Sequence, residues 1–451
     1  MKKIYSILFA ISLLIVLSFS LFSCDSGNGE AGVGITDAKI NENGELILNY
    51  SDGTSQNLGV IVGKDGADGK DGADGKDGAD GADGSIVISG GGNGISLASS
   101  KALRSAVSIV CKFQATIQQG GWRPGTGITT TQNYTSAGSG VIYKMDKNEG
   151  DAFVITNYHV VYDVSSNTEN GVSDEISVYL YGSEMDEKAI KATYVGGSLY
   201  YDIAVLRIED SEILKNSDAV AVTVSDSDEV VVGSRALAIG NAEGYGISTS
   251  LGIVSVDSEY ITMTAADGKT SVSFRVMRVD TAINSGNSGG GLFDENGNLI
   301  GIVNAKIVDN GVESIGYGIP SNIAVSIAEN IIDYCYGSDI ERVQRAIIGI
   351  TVNANDSKAV YDYSTGYIKI VESVSVYEIS KGSLADGVLQ VGDVIVSATL
   401  NGATTDVTRQ YHIIDMMLDV RAGDVITLNV MRDGEETEVS ITITEECLVA
   451  Y

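Results

Sequence analysis

Histidine and proline are almost missing from this chain of 451 residues, at two each, and it holds only four cysteines and one tryptophan. No C-x-x-C or H-x-x-x-H spacing occurs, so a multi-Cys/His metal site is excluded and no cofactor or metal is expected. Cationic side chains are scarce as well: 29 Lys+Arg face 60 Asp+Glu, for a formal net charge of −31. That charge repels a phosphate backbone and no basic stretch offsets it, which excludes nucleic acid as a partner. What is present is 43% apolar residues and 54 glycines. The length fits about three domains of ~150 residues, and the apolar content is enough to bury real cores, so disorder throughout is excluded too. Any chemistry must use very little histidine.

The chain begins with Lys2 and Lys3 and an apolar run from Ile7 to Phe22 broken only by serines, the layout of a secretory signal over residues 1–23. Its end, Leu21-Phe22-Ser23-Cys24, resembles the lipobox of bacterial lipoproteins, which implies cleavage before Cys24 and a lipid on its thiol. The competing reading is an uncleaved anchor, since about 16 apolar residues nearly span a hydrocarbon core. Either reading leaves the chain at a membrane surface outside the cytoplasm. Residues 24–97 then read as an acidic stalk, with one small hairpin from Glu45 to Tyr50 and Leu58 to Val62 around a Ser51-Asp52-Gly53 turn. Over residues 63–84 every third residue is glycine, in Gly-Lys-Asp and Gly-Ala-Asp triplets, which is the collagen period. The tract has no proline to pre-set its dihedrals, so it reads as a flexible acidic spacer unless a trimeric neighbour holds three copies together. Gly90 to Gly94 reads as a further hinge.

After Leu97 the pattern changes to short apolar strands: Val107–Phe113, Gly140–Tyr143, Phe153–Thr156, Ile176–Leu180, Ile203–Ile208, Ala236–Ile239, Ile253–Val256, Val272–Val279 and Leu299–Val303. This is an all-β barrel or sandwich pattern. A helix is expected to close it, with Ser321 as N-cap and Ile323, Ile327, Ile331 and Tyr334 on one face. Three pieces of the region carry chemistry. His159 follows a strand in Ile155-Thr156-Asn157-Tyr158-His159; Asp202 immediately precedes another; Ser288 lies among small residues in Asn284-Ser285-Gly286-Asn287-Ser288-Gly289-Gly290. A serine hydroxyl is a weak nucleophile near neutral pH and needs a base within reach, for which imidazole has the right pKa. A buried carboxylate must then fix the imidazole tautomer. His159, Asp202 and Ser288 supply that set, and the glycines let the N–H groups of Gly286 and Ser288 converge on a developing oxyanion.

At these residues the chain resembles the HtrA (high-temperature requirement A) family of trypsin-like serine proteases, over roughly residues 98 to 335. The matching text includes Ala137-Gly138-Ser139-Gly140-Val141-Ile142, Thr156 through Val161, Asp202 through Leu206, Ala238-Ile239-Gly240-Asn241, Asp280 through Gly290 and Gly316 through Ser321. The resemblance implies a mostly β fold, a chymotrypsin-like double β-barrel over residues 98–336. It makes Ser288 the nucleophile, His159 the general base and acid and Asp202 the orienting carboxylate, with Gly286, Asn287 and Ser288 lining an oxyanion hole. Thr281-Ala282-Ile283 carries no acid, so apolar substrate side chains are expected rather than basic ones. Ala115 to Ser136 falls where relatives carry a variable loop and reads as a surface loop.

Residues 345–451 resemble a PDZ domain, a small α+β peptide-binding module, in Gly382 through Leu389, Gln390 through Val396, a helical run from Thr408 to Leu418 that holds His412, and strands Val425–Val430 and Glu438–Thr444. The resemblance implies that Ile347, Ile348, Gly349 and Ile350 receive an extended C-terminal peptide. Asn353 to Gly366 reads as an insertion. Setting Cys24 aside, Cys111, Cys335 and Cys447 allow at most one bridge. The sequence therefore reads as a lipid-anchored, extracytoplasmic endopeptidase acting on unfolded proteins, with C-terminal peptides as PDZ ligands and a homotrimer implied by the family. The alternative is a surface binding or adhesion protein that uses the stalk and PDZ unit on a protease-like scaffold.

Overall fold

The computed structural model describes residues 34–41, 43, 45–60, 94–119, 128–183, 188–305 and 315–451. The expectations for the signal, Cys24 and the glycine repeats at 63–84 lie outside the described residues. The chain divides into two compact units, Met1–Ser85 and Ile86–Tyr451. In the first, β1 (Ile35–Ile40), β2 (Glu45–Tyr50) and β3 (Ser55–Val60) form an antiparallel sheet. A hairpin is there around the expected turn, its second strand beginning at Ser55 rather than Leu58, with β1 added on its open edge.

The second unit contains two closed antiparallel barrels. The first is built from β4 (Ala106–Gln119), β5 (Ile128–Asp146), β6 (Asp151–Thr156), β7 (Glu175–Leu180), β8 (Ile190–Ser198) and β9 (Ile203–Ile208). The second uses β10 (Arg235–Gly240), β11 (Ser248–Thr264), β12 (Ser271–Val279), β13 (Gly291–Phe293), β14 (Leu299–Val303) and β15 (Gly316–Pro320). Both close in the same order, first-second-third-sixth-fifth-fourth. Closure leaves no unpaired edge along either ring. Val107, Ile109, Val154 and Leu206 fill the first barrel, and Leu237, Phe274, Phe293 and Ile302 pack in the second, all essentially without exposure. Each such side chain contributes about 1.5–3 kcal/mol of burial.

The helix Ser321–Tyr334 lies where the sequence places it, with Ile323, Ile327 and Ile331 buried. Its N-cap is Pro320 rather than Ser321, because the Ser321 hydroxyl donates instead to the Ser225 carbonyl at 2.7 Å. Gly94–Leu103 is a helix that the sequence did not show, with Ala98 and Ala102 buried. The hinge expected at Gly90 to Gly94 lies, apart from Gly94, outside the described residues. One further expectation is corrected. The stretch from Ala115 is not mostly loop: β4 and β5 stay in register from Ala106↔Val141 out to Gln119↔Ile128, and polar residues such as Thr131, Gln132 and Asn133 form strand because pairing with β4 satisfies their backbone.

The last part is the expected small α+β unit. β16 (Gln344–Ala346) pairs with β23 (Leu448–Ala450), and a sheet runs β17 (Ile350–Asp362), β18 (Tyr367–Ile379), β19 (Val394–Leu400), β21 (Val425–Arg432), β22 (Glu435–Thr442), with β20 (Ala403–Asp406) beside β19. The helix Gln410–Asp419 packs on it. The Asn353–Gly366 segment is neither irregular nor separate: it extends β17 into a long hairpin with β18, from Ile350↔Ile379 to Asp362↔Tyr367. The unit is held to the second barrel by Arg275, whose guanidinium lies 2.8 Å from both Asp228 and Asp415 and 3.8 Å over the Tyr411 ring. Burial pushes the Asp415 carboxyl up to about 6 against the pull of Arg275. Cys111, Cys335 and Cys447 are all unpaired, and burial pushes the first two thiols up to about 12.

Candidate active site

Antiparallel pairing of β6 with β9 sets Thr156 opposite Ala204. The residues just past the end of one strand therefore face those just before the start of the other. This brings His159, on the short helix Tyr158–Val161, to Asp202. The carboxylate accepts three hydrogen bonds: the His159 backbone N–H reaches Oδ1 at 2.9 Å, and His159 Nδ1 and Asn304 Nδ2 reach Oδ2 at 2.6 and 2.8 Å. Asp202 is 4% exposed and takes a positive φ of 55°. Its own carbonyl accepts from the Tyr158 N–H and from Asn157 Nδ2, which fixes that strained turn. Burial raises the hydroxyl of the adjacent Tyr201 well above its ordinary range and keeps it neutral.

Ser288 comes from the other barrel, three residues before β13. It lines one cleft of about 450 Å³ together with His159, Ser285 and Gly286. The Ser288 hydroxyl is not hydrogen-bonded to the imidazole in this structure. In unliganded sites such bonds are commonly long and tighten when substrate binds.

The loop before Ser288 is held by its carbonyls. The Ser285 carbonyl accepts from the Glu243 N–H at 2.7 Å and the Asn287 carbonyl from the Gly290 N–H at 2.9 Å. In a planar trans peptide the N–H points opposite the carbonyl, so those of Gly286 and Ser288 point away from Glu243 and Gly290 respectively. The Asn287 N–H goes to the Asn284 carbonyl at 3.1 Å, so Asn287 sits in this loop as the spacer between Gly286 and Ser288. Glycine is required at two points here. At Gly286 (φ 90°) a Cβ would lie 2.2 Å from the Asn241 carbonyl oxygen, and at Gly289 (φ 81°) one would lie 2.3 Å from the Ser139 carbonyl oxygen.

Two contributors were not read from the sequence. Asn304 follows the apolar run of β14 and is fully buried; a polar side chain ending a buried strand demands a partner, and Asp202 is that partner. Glu243 has a φ of 53° in a turn whose sequence, Ala242-Glu243-Gly244, gives no sign that its backbone serves the serine loop.

The residues expected to receive a peptide, Ile347, Ile348, Gly349 and Ile350, line a cavity of about 480 Å³ with Ile413 and Met417 of the helix Gln410–Asp419. β17 is an edge strand beside it. The Ile347 N–H is already donated to the Cys447 carbonyl, at 2.9 Å. Tyr200, Tyr201 and Tyr260 of the barrels form part of the same cavity wall.

Residues 138–302 match the model of the trypsin-like peptidase domain. Serine protease Do-like HtrA of Lactococcus lactis subsp. lactis is 31% identical over 338 residues, 72% of this chain and 75% of its own length. The chain belongs to the Do-like HtrA serine proteases. Serine protease Do-like HtrA of Bacillus subtilis is 31% identical over 69% of this chain, which spans 64% of that relative. The periplasmic serine endoprotease DegP of Escherichia coli is 30% identical over 74% of this chain and 62% of its own. Among solved structures, the HtrA-type protease AlgW with a tripeptide aligns at 26% identity and a TM-score of 0.46, over 79% of this chain and 98% of its own. The match to the peptidase domain runs through all three of His159, Asp202 and Ser288.

Proposed function

We propose that this HtrA-family chain is a membrane-tethered, extracytoplasmic endopeptidase that cleaves unfolded proteins. His159 takes the proton of the Ser288 hydroxyl as that oxygen attacks the scissile carbonyl, then gives it to the leaving amine. Asp202 holds Nδ1–H and steadies the imidazolium, and the N–H groups of Gly286 and Ser288 receive the oxyanion. The observation that carries the reading is the 2.6 Å His159–Asp202 bond at the mouth of a cleft shared with Ser288. A binding protein on a protease-like scaffold has no need of a buried carboxylate on three donors beside an unengaged serine. The lipobox-like Cys24 supplies the tether, and the edge strand β17 beside the helix Gln410–Asp419 supports capture of C-terminal peptides as in a PDZ module. A homotrimer, as the family implies, would bring three glycine tracts together at high effective concentration.

The full chain is expected to degrade an unfolded casein-like substrate, and Ser288→Ala to leave none of that activity. Equal degradation by the two proteins would overturn the reading.

A further inference from the structure

The loop that aims the two oxyanion donors is pinned at its middle by a residue of the other barrel. Ser139 lies in β5, is fully buried, and uses every polar atom it has. Its N–H donates to the Ser288 carbonyl at 2.8 Å, and its carbonyl accepts from the Thr156 hydroxyl at 2.7 Å. Its hydroxyl donates to the Gly286 carbonyl at 2.7 Å and accepts the Asn241 N–H at 2.8 Å. Asn241 is itself held, with Nδ2 on the Ser108 hydroxyl at 2.6 Å and Oδ1 accepting from the Gly246 N–H at 2.7 Å.

We propose that Ser139 is a positioning residue for the oxyanion hole, resting on the reading of Ser288 as nucleophile. Three peptide planes set the hole. Those of 285–286 and 287–288 carry the donors, and the plane 286–287 between them hinges one against the other. The Ser139 hydroxyl holds that middle plane by its carbonyl. The same plane is also held by the Asn287 N–H on the Asn284 carbonyl, at 3.1 Å. Gly286 has no side chain to restrict its ψ, so loss of the Ser139 hydrogen bond leaves that longer contact to hold the plane and lets the two donors shift against each other. Backbone packs closely around the side chain: a Cβ built at Gly240 would come within 2.9 Å of Ser139 Oγ, and one at Gly290 within 3.2 Å of its Cβ. Loss of the hydroxyl also leaves the buried Asn241 N–H without an acceptor. Ser139 touches no substrate; it acts through the direction of two N–H groups.

The test is steady-state cleavage of fluorescent unfolded casein by full-length wild type, Ser139→Ala and Ser139→Cys, with inhibition by a peptide aldehyde that binds as a tetrahedral adduct. Loss of an outright oxyanion donor typically costs 10²–10³ in kcat, so loss of its support in Ser139→Ala is expected to lower kcat roughly 10- to 100-fold. KM stays within about twofold while aldehyde affinity falls in step with kcat, because only the tetrahedral state uses the hole. Ser139→Cys, close in size and a weak donor, falls between the two and reports even if the alanine variant does not fold. Wild-type kcat and aldehyde affinity in either folded variant overturn the proposal. So does a loss of activity that leaves aldehyde affinity untouched. Failure of the underlying reading looks different: Ser288→Ala then cleaves as fast as wild type.

Discussion

Replacing Asp202 with asparagine tests the electrostatics of the site most sharply, because the two side chains have the same shape. The carboxylate receives the His159 N–H on Oδ1 and both His159 Nδ1 and Asn304 Nδ2 on Oδ2. An amide offers one acceptor and one donor to those three groups. With its oxygen kept toward the His159 backbone N–H, its NH₂ faces Nδ1, and the arrangement closes only if the imidazole moves its proton to Nε2 and Asn304 turns its own amide oxygen inward. The three contacts to the side chain at 202 are then kept, so the fold is expected to survive. The proton on Nε2 stops the ring from accepting the Ser288 proton. A wrong tautomer costs about 10⁴ in kcat, about 5.5 kcal/mol of barrier. Steady-state cleavage at pH 7, with a melting curve on the same protein, reads this out: kcat collapses, KM holds, and the melting temperature moves little. An Asp202→Asn enzyme within about tenfold of wild-type kcat would refute the reasoning.

Two further expectations concern the junction between the barrels and the C-terminal unit. Arg275→Ala leaves Asp415 buried without its cation and is expected to cost about 3–5 kcal/mol, measured by urea denaturation; a change below about 1 kcal/mol would count against the junction's role. Asp415 titrates near 6 when folded and near its ordinary value when unfolded, so between about pH 4 and 6 the native state holds more protons and stability falls as pH rises. Asp415→Asn removes that contribution, so the stability difference between variant and wild type should widen in the variant's favour from pH 4.5 to 7. A difference independent of pH would contradict the assignment.

The strands that line the barrels were legible because their apolar runs match their burial. Ile203–Ile208 was read to the residue, since every position but Arg207 is buried. β13 and β15 escaped because Gly291-Leu292-Phe293 is too short to show a period and Gly316-Tyr317-Gly318 carries turn residues whose strand character comes from pairing partners alone. The outer half of β4 and β5 escaped for a related reason: Thr129, Thr130 and Gln132 carry no apolar signal, and the register is inherited from the buried half of the hairpin. In the site, the reactive types announced themselves through scarce histidine, an acid before a strand and a glycine-flanked serine. The contributions of Ser139, Glu243 and Asn304 did not. Two of them act wholly or partly through backbone atoms, and all three depend on contacts across more than 40 residues of chain, which no local pattern encodes.

The central claim is that the hydroxyl at 288 is made nucleophilic by the imidazole at 159. A fluorophosphonate reacts with such an oxygen and forms a stable phosphonyl ester, which mass spectrometry of the digested protein locates. Wild type should carry the adduct on the peptide containing Ser288, and His159→Ala should stay unlabelled over the same interval. Labelling of the histidine variant at the wild-type rate, or an adduct on any other residue, would contradict the account.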